Sequence, residues 1–145
     1  MPTNTKRPST PTPRKVGPND MGKLPPQAPE LEESILGALM IEKEAFAGVA
    51  DLLRPECFYK DQNRLVYEGI AALASKEQPI DILSVAEKLK SLGTLEQAGG
   101  VMYLSELTRR VASAAHLRYH AQIVAQKATA RELIRMATEI EELSY

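Results

Sequence analysis

One long segment near the end of the chain constrains the fold more than any other feature. Residues 113–143 contain no glycine and no proline, and Ala, Leu, Arg, Gln, Glu and Met predominate there. Because these residues favour helix and nothing interrupts them, the segment predicts a single helix of about thirty residues, ~45 Å long at ~1.5 Å per residue. The remainder of the chain forms too small a head to cover such a helix, so we expect its far end to project.

Apolar residues divide this long helix into two parts. Near its start they form a stripe that we expect to pack on the head, made of Leu117, Ala121, Val124 and Ala128. An apolar face then continues outward through Ile123, Ala130, Leu133, Ile134, Met136, Ala137 and Ile140. Beyond Leu133 the head ends, so another chain or a missing segment should cover this face. The chain stops at Tyr145, directly after the helix, which favours a truncation over a natural end.

The first 24 residues have a different composition. Seven of the ten prolines lie within residues 1–26, and no apolar periodicity appears before Leu31. Residues 1–25 carry five Lys or Arg against one Asp, a charge of +4, which leaves −5 for the remainder of a chain whose net charge is −1. Such a segment buries too little surface to order itself, so we predict a disordered basic tail over residues 1–24. The alternative is an arm that binds nucleic acid or acidic lipid.

Residues 25–112 predict a compact head of about five short helices, beginning with two helices that form an antiparallel pair. Pro29 suits a first-turn position, and Leu31, Ile35 and Leu39 share one stripe, so helix one should run from about Pro29 to Ile41. Residues 44–53 predict a second helix before Pro55 stops it. Its apolar face would contain Phe46, Val49, Ala50 and Leu53.

Three further helices follow in the head. Asp61 is expected to cap the third, which contains Leu65, Val66, Ile70 and Leu73 and ends near residues 76–78. Asp81 should cap the fourth, with Leu83, Ala86, Leu89 and Leu92 facing inward and Gly93 in a left-handed conformation at its end. Gly99 and Gly100 precede a short fifth helix that contains Tyr103, Leu104 and Leu107. Every segment has a helical period, so the sequence predicts an all-α fold.

Residue patterns that would indicate catalysis are absent from the sequence. No glycine begins the G-x-x-x-x-G-K-[ST] loop that cradles phosphates. His116 and His120 are spaced i, i+4, but no third ligand completes a metal site, and the single Cys57 is expected to be a buried small apolar residue. The acids Glu30, Glu32 and Glu33 are interpreted as a helix-start cluster. We therefore expect an interaction domain without catalytic, cofactor-binding or metal-binding residues.

Targeting signals are equally lacking. No stretch approaches the ~18 apolar residues of a membrane span, and the first residues have no apolar core typical of a signal peptide. The sequence thus predicts a cytoplasmic protein without a membrane partner.

The order and spacing of several motifs resemble those of a known family. The run PPQAPELEESILGALM at residues 25–40 resembles the opening of DnaB-type replicative DNA helicases. Further matches follow at Phe58-Tyr59, Pro79-Ile80-Asp81, Leu89 with Leu95, Gly99-Gly100 with Tyr103-Leu104 and Leu107, Ser113-Ala114-Ala115, Tyr119, Ile123-Val124 and Lys127. Two departures are Ala28-Pro29, which leaves the capping of helix one in doubt, and Asn63, where the family often has His. The resemblance extends from Pro25 to about Ile140.

This resemblance implies the amino-terminal domain of a homohexameric, ATP-driven helicase that unwinds DNA during chromosomal replication. ATP and Mg²⁺ would belong only to a carboxy-terminal RecA-like ATPase domain that this chain lacks. The resemblance further implies that copies pair through a helical hairpin, of which residues 113–145 form the first arm, and that primase docks on this tier in the nucleoid. A helicase loader is a further candidate partner, and DNA would be bound only by the full-length ring. We assign self-pairing and primase contact to Tyr103, Leu133, Ile134, Ala137 and Ile140.

Two other interpretations stay open. One is direct nucleic-acid binding, which would use the cations Arg109, Arg110, Arg118, Lys127, Arg131 and Arg135. Glutamates are interspersed among these cations and no aromatic platform accompanies them, which argues against stacking on single strands. The other is a small standalone regulator that copies the helicase rim.

Overall fold

The computed structural model describes residues 24–111 and 114–145. These ranges contain five α-helices, two 3-10 helices and no strand, which confirms the predicted all-α fold. Except for Leu24, the predicted tail lies outside the described residues. The α-helices are α1 (Pro29–Ile41), α2 (Asp61–Ser75), α3 (Ile82–Ser91), α4 (Gly100–Arg109) and α5 (Leu117–Leu143), and the 3-10 helices are Ala45–Gly48 and Pro55–Cys57.

Helix α1 is the centre of the head. It packs against α4 and α5, while α2 packs against α3 and against the 3-10 helix Pro55–Cys57. Ile35, Leu36 and Leu39 of α1 are fully buried. Gly37 lets α1 approach α4 closely, because a Cβ at this position would lie 2.2 Å from the carbonyl oxygen of Leu107. The single apolar core of the head therefore depends on a close contact between α1 and α4.

The start of α1 bears out the doubt about its capping. Ala28 occupies the N-cap position and provides no side-chain hydrogen bond, while Pro29 lies in the first turn as predicted. The carbonyl oxygen of Ala28 accepts hydrogen bonds from the amides of Leu31 and Glu32, both at 3.0 Å. The helix thus begins on backbone hydrogen bonds and on the fixed φ of proline.

The predicted second helix is wrong. Residues 45–48 form one 3-10 turn, with further turns up to Leu53, so no antiparallel pair of α-helices exists here. Glu44 has a left-handed φ of 69°, and Arg54, which precedes Pro55, is extended, so both ends of the segment are non-helical. Val49 and Leu53 are nevertheless buried, whereas Ala50 is exposed. The apolar spacing correctly identified two core residues, although the segment that carries them folds as turns rather than as an α-helix.

Helix α2 confirms the predicted apolar stripe but corrects its cap. Leu65, Val66, Ile70 and Leu73 are all buried. The N-cap is Lys60 rather than Asp61, and it makes no side-chain capping hydrogen bond. The carboxylate of Glu32 on α1 accepts from the amides of Tyr59 and Lys60, directly before this helix, and sequence spacing alone does not reveal that contact.

Helix α3 begins and ends as predicted, although its buried face differs. Asp81 accepts a 2.8 Å hydrogen bond from the amide of Ser84, and Gly93 has a φ of +75°. Leu83 and Leu92 are exposed, which contradicts their inward assignment, whereas Val85 and Leu89 are buried. Because residues two apart in a helix differ by about 200° in direction, Leu83 points away from the side that buries Val85.

Helix α5 begins at Leu117, four residues later than predicted, because residues 114–116 form a bend and turn. Leu117, Ala121 and Val124 are buried, and Ala128 packs against the core, so the proximal stripe is confirmed. The 27 residues of this helix extend ~40 Å at ~1.5 Å per residue.

A candidate protein-interaction surface on the long helix

The second half of α5 carries an apolar face that the head does not cover. We call residues 132–143 the distal arm. Leu133 is 61% exposed, Ile134 53% and Ile140 62%. Ala137 is exposed as well. The structure therefore places four of the five predicted interaction residues together on one arm, where a partner can reach them.

The exposed residues of the arm have the spacing of a helix-packing seam. Leu133, Met136, Ile140 and Leu143 follow one another at intervals of three, four and three residues, and all four are exposed. This alternation keeps apolar side chains on one side of a helix and is the spacing by which paired helices interdigitate. Ile134 and Ala137 widen the face on one side. The arm therefore presents six exposed apolar residues on one face.

Charged residues stabilise the arm on its solvent side. Arg135 makes a 2.6 Å ion pair with Glu132 and a 3.0 Å ion pair with Glu139, three and four residues away on the same helix. The hydrogen bond from Arg135, reinforced by its positive charge, holds the pKa of Glu132 below its usual value. Such pairs support a helix locally and do not require a core. Each pair adds a small local contribution to the stability of the arm as a helix.

A groove connects the arm with the head. It has a volume of about 480 Å³ and lies between α5 and the segment around the 3-10 helix Pro55–Cys57. Leu52 and Cys57 line it from the head, and Ala128 and Leu133 line it from α5. Leu133 of the seam thus also lines a cleft at the edge of the head, whose remaining lining includes the charged Arg54, Glu56 and Glu132.

Tyr103, the fifth predicted interaction residue, lies in a different place. It belongs to α4, which packs against α1 and α3, and its side chain is half-buried. Its hydroxyl donates to Oδ1 of Asn63 and lies 3.4 Å from Oε1 of Glu33. Burial, together with the negative charge of Glu33, raises the pKa of Tyr103 above its usual value. Its role in partner contact stays a prediction.

A buried polar network around Glu32 was not recognised from the sequence. Glu32 is almost fully buried and accepts hydrogen bonds from the amide of Tyr59 at 2.8 Å and from Nδ2 of Asn63 at 3.0 Å. Asn63 in turn accepts from Tyr103, so the network joins α1, α2 and α4. Buried carboxylates require such partners. An acid with a helix-start position gave no signal that it would face inward.

Two arginines of α5 attach this helix to the head. Arg118 donates to the carbonyl oxygen of Gly48 at 2.7 Å and pairs with both carboxylate oxygens of Asp51 at 3.1 Å. Arg131 donates to the carbonyl oxygens of Pro26 at 2.7 Å and Cys57 at 2.9 Å. The first contact lies at the start of α5, and the second lies directly before the distal arm.

The cations proposed for nucleic-acid binding are largely engaged within the chain. Five of the six contact acids or carbonyl oxygens, which reduces the positive charge that they offer to phosphates. The pairs are Arg109 with Glu106, Arg110 with Glu33 and Glu106, Arg118 with Asp51, Arg131 with two carbonyl oxygens, and Arg135 with Glu132 and Glu139.

Residues 24–111 and 114–145 contain neither a metal-ligand cluster nor a membrane-spanning helix. His116 and His120 have ring centroids 6.3 Å apart, and no group of three His, Cys, Asp or Glu residues in these ranges would hold a metal ion. No helix described there combines the length and apolar character needed to cross a membrane. Cys57 is buried, as predicted.

Comparison with known proteins agrees with this architecture. The family model of the DnaB-like helicase N terminal domain matches residues 24–126. The chain belongs to this family. The resemblance drawn from the sequence motifs is therefore confirmed, and the match includes the head and the proximal part of α5.

Similar proteins carry the name of replicative helicases. The chain is 46% identical over 117 residues to replicative DNA helicase DnaB of Rhodothermus marinus, and this alignment covers 81% of the chain and 12% of that protein. It is 37% identical to replicative DNA helicase DnaB of Geobacillus stearothermophilus, over 85% of this chain and 27% of that protein. The chain thus spans about an eighth to a quarter of these relatives.

Solved structures of related domains have the same fold. The crystal structure of the N-terminal domain of DnaB helicase from Mycobacterium tuberculosis aligns with a TM-score of 0.81 and 38% identity, covering 84% of this chain and 85% of that one. A structure of a DnaB-like replicative helicase, described with its interactions with primase, aligns with a TM-score of 0.70 and 31% identity over 77% of this chain and 26% of that one. The aligned part of the chain therefore has the fold of these N-terminal domains.

Proposed function

We propose that this chain is the non-catalytic N-terminal domain of a replicative DNA helicase. In this role it pairs with copies of itself within a hexameric ring and docks primase during chromosomal DNA replication. Its family membership, the names of its relatives and the primase interactions described for a structural neighbour support the proposal. DNA unwinding, ATP and Mg²⁺ would belong to a separate ATPase domain of the parent protein, in the bacterial cytoplasm. A helicase loader is a further candidate partner.

The exposed apolar seam of the distal arm is the observation that carries this proposal. Leu133, Met136, Ile140 and Leu143 lie in water in a single chain. Fully burying one aliphatic side chain at an interface is worth roughly 1.5–3 kcal/mol, so burial of several such residues favours pairing. A helix that lacks tertiary packing gains little stability from propensity alone, so a partner that buries the seam would also stabilise the arm. Self-pairing and partner docking account for its presence.

The arm can be tested by shortening two of its side chains. We expect Ile134→Ala combined with Ile140→Ala to weaken self-association in sedimentation equilibrium and to lower the affinity for the cognate primase in a fluorescence titration. Both side chains are largely exposed, so helicity and the melting temperature should change little. The loss would then report on the interface rather than on folding.

A matched control removes apolar surface from the head instead. Leu83 and Leu92 are exposed on α3 or at its end, so Leu83→Ala combined with Leu92→Ala removes a similar amount of exposed aliphatic area. This control should associate and bind primase like the unmodified chain. If the arm variant also retains both interactions, the arm is not the docking surface and the function must reside on the head.

A further inference from the structure

Arg131 occupies the junction between the packed and the exposed halves of α5. Its two terminal nitrogens donate to two different parts of the chain: Nη1 to the carbonyl oxygen of Pro26, before α1, and Nη2 to that of Cys57, at the end of a 3-10 helix. Its guanidinium carbon also lies 5.4 Å from the ring centroid of Tyr59. One side chain thus joins α5 to two separate backbone segments and to an aromatic ring.

The position of this contact along α5 is informative. The buried residues of the helix, Leu117, Ala121 and Val124, all precede it, and Leu133 directly beyond it is exposed. Further along, the side chains of Arg135, Thr138 and Ser144 make their hydrogen bonds within α5 itself. Arg131 therefore contacts the head at the point from which the distal arm extends.

We propose that Arg131 is a positioning residue that sets the direction in which the distal arm leaves the head. This inference rests on the proposed self-pairing function, because a seam of apolar side chains meets its partner only if the arm is held at the matching angle. Small changes of angle at the junction become large displacements at Leu143, twelve residues or ~18 Å along the helix. Fixing the junction pre-organises the seam and lowers the entropy lost on association.

The chemistry of arginine suits this role better than that of lysine. A guanidinium is planar, and its fork of N–H groups serves two acceptors at a fixed angle while its face packs against an aromatic ring. An ammonium group is a compact point charge at the end of a flexible stem. We therefore expect Arg131→Lys to retain only part of the positioning and Arg131→Ala to lose it.

The direction of the arm is measurable in the full chain. Spin labels on Lys90→Cys and Ser144→Cys, in a Cys57→Ser background, report the distance from the exposed side of α3 to the end of α5. An excess of unlabelled chain keeps distances between copies out of the signal. We expect a narrow distance distribution for the parent protein, a broad one for Arg131→Ala and an intermediate one for Arg131→Lys.

Arg118→Ala is the matched control, because Arg118 is on the same helix and also contacts the head, but at the start of the packed half. Its distance distribution and its self-association should match those of the parent. Association of Arg131→Ala should weaken by on the order of tenfold, because an arm that is no longer pre-organised loses more entropy on pairing, and Arg131→Lys should lie in between. Tyr59→Leu, which removes only the ring, provides a milder variant should Arg131→Ala fold poorly, and we expect it to broaden the distribution.

The outcomes separate this proposal from the proposed function. A narrow distribution in both Arg131→Ala and Tyr59→Leu, or association of Arg131→Ala at parental strength despite a broad distribution, would overturn the positioning role. Neither result concerns Ile134 and Ile140, whose double variant tests the pairing surface by itself. A broad distribution with weakened association, and unchanged values for Arg118→Ala, supports the inference.

Discussion

The head and the distal arm are both helical, but different interactions hold them in shape. In the head, each helix buries one face in a shared core, and even polar Glu32 and Asn63 are enclosed and hydrogen-bonded. In the arm, ion pairs connect neighbouring turns of one helix, and large aliphatic side chains stay in water. A leucine therefore contributes to folding when it lies in the head core, as Leu89 does, and remains available for association when it lies on the arm, as Leu133 does.

The largest difference between the two regions should appear with one substitution made in both. Leu89 is 0% exposed in the head, and Leu133 is 61% exposed on the arm. Leu89→Ala should lower the free energy of unfolding by about 2–5 kcal/mol, from lost transfer free energy and the cavity left behind. Leu133→Ala should change it by less than about 0.5 kcal/mol, as is usual for surface substitutions.

Urea denaturation at low protein concentration measures both changes, because dilution keeps association from contributing. Similar losses for the two variants would mean that the arm packs on the head more closely than its exposure indicates. The comparison between a folding region and an association region would then fail.

Alanine substitutions at two glycines of the head should differ in their effect on stability, by less than the two leucine substitutions do. A Cβ at Gly37 would lie 2.2 Å from the carbonyl oxygen of Leu107 and 2.4 Å from Cγ2 of Val111, whereas a Cβ at Gly48 meets nothing within 4 Å. Because the backbone of α4 cannot yield easily, Gly37→Ala should destabilise the head by about 1–3 kcal/mol. Gly48→Ala should have little effect. Thermal unfolding followed by circular dichroism distinguishes the two, and equal melting temperatures would refute the close approach of α1 and α4.

Much of the fold could be predicted because helix signals are local. Pro29 fixed the start of α1, Asp81 and Gly93 marked the ends of α3, and the long segment free of glycine and proline predicted α5. The errors arose where the decisive interaction was not local. The run that contains Phe46 and Val49 has a helical period but lies between a left-handed Glu44 and an extended Arg54. Its backbone forms turns that still bury Val49 in the core.

The exposed apolar face of the arm was also predictable from local spacing, whereas the polar contacts of Glu32 and Arg131 were not. Ile134 and Ile140 gave an apolar signal on a helix too long for the head, which sufficed to place them outside. The burial of Glu32 depends on donors 27 to 31 residues away, and the contact of Arg131 depends on carbonyl oxygens 74 and 105 residues away. A charged side chain whose partners are so distant in sequence cannot be distinguished, from the sequence alone, from one that lies on the surface.

The smallest expected effect concerns Leu83, the residue of the head that most resembles the arm. Helical spacing assigned it to the core, yet it is 79% exposed, while Val85 on the other side of α3 is 0% exposed. Leu83→Ala should therefore change the free energy of unfolding by less than about 0.5 kcal/mol, because little buried area is lost and no cavity forms. Val85→Ala, measured in the same urea titration, should lower the free energy of unfolding by more, since it removes two buried methyl groups at about 0.8 kcal/mol or more for each buried carbon.

If Leu83→Ala were the more damaging of the two, α3 would have to be rotated about its axis, with Leu83 and Leu92 inward as their spacing suggested. With the expected order, an exposed aliphatic residue is inert for stability in the head as well, so exposure rather than location in the head or the arm decides whether a leucine contributes to folding.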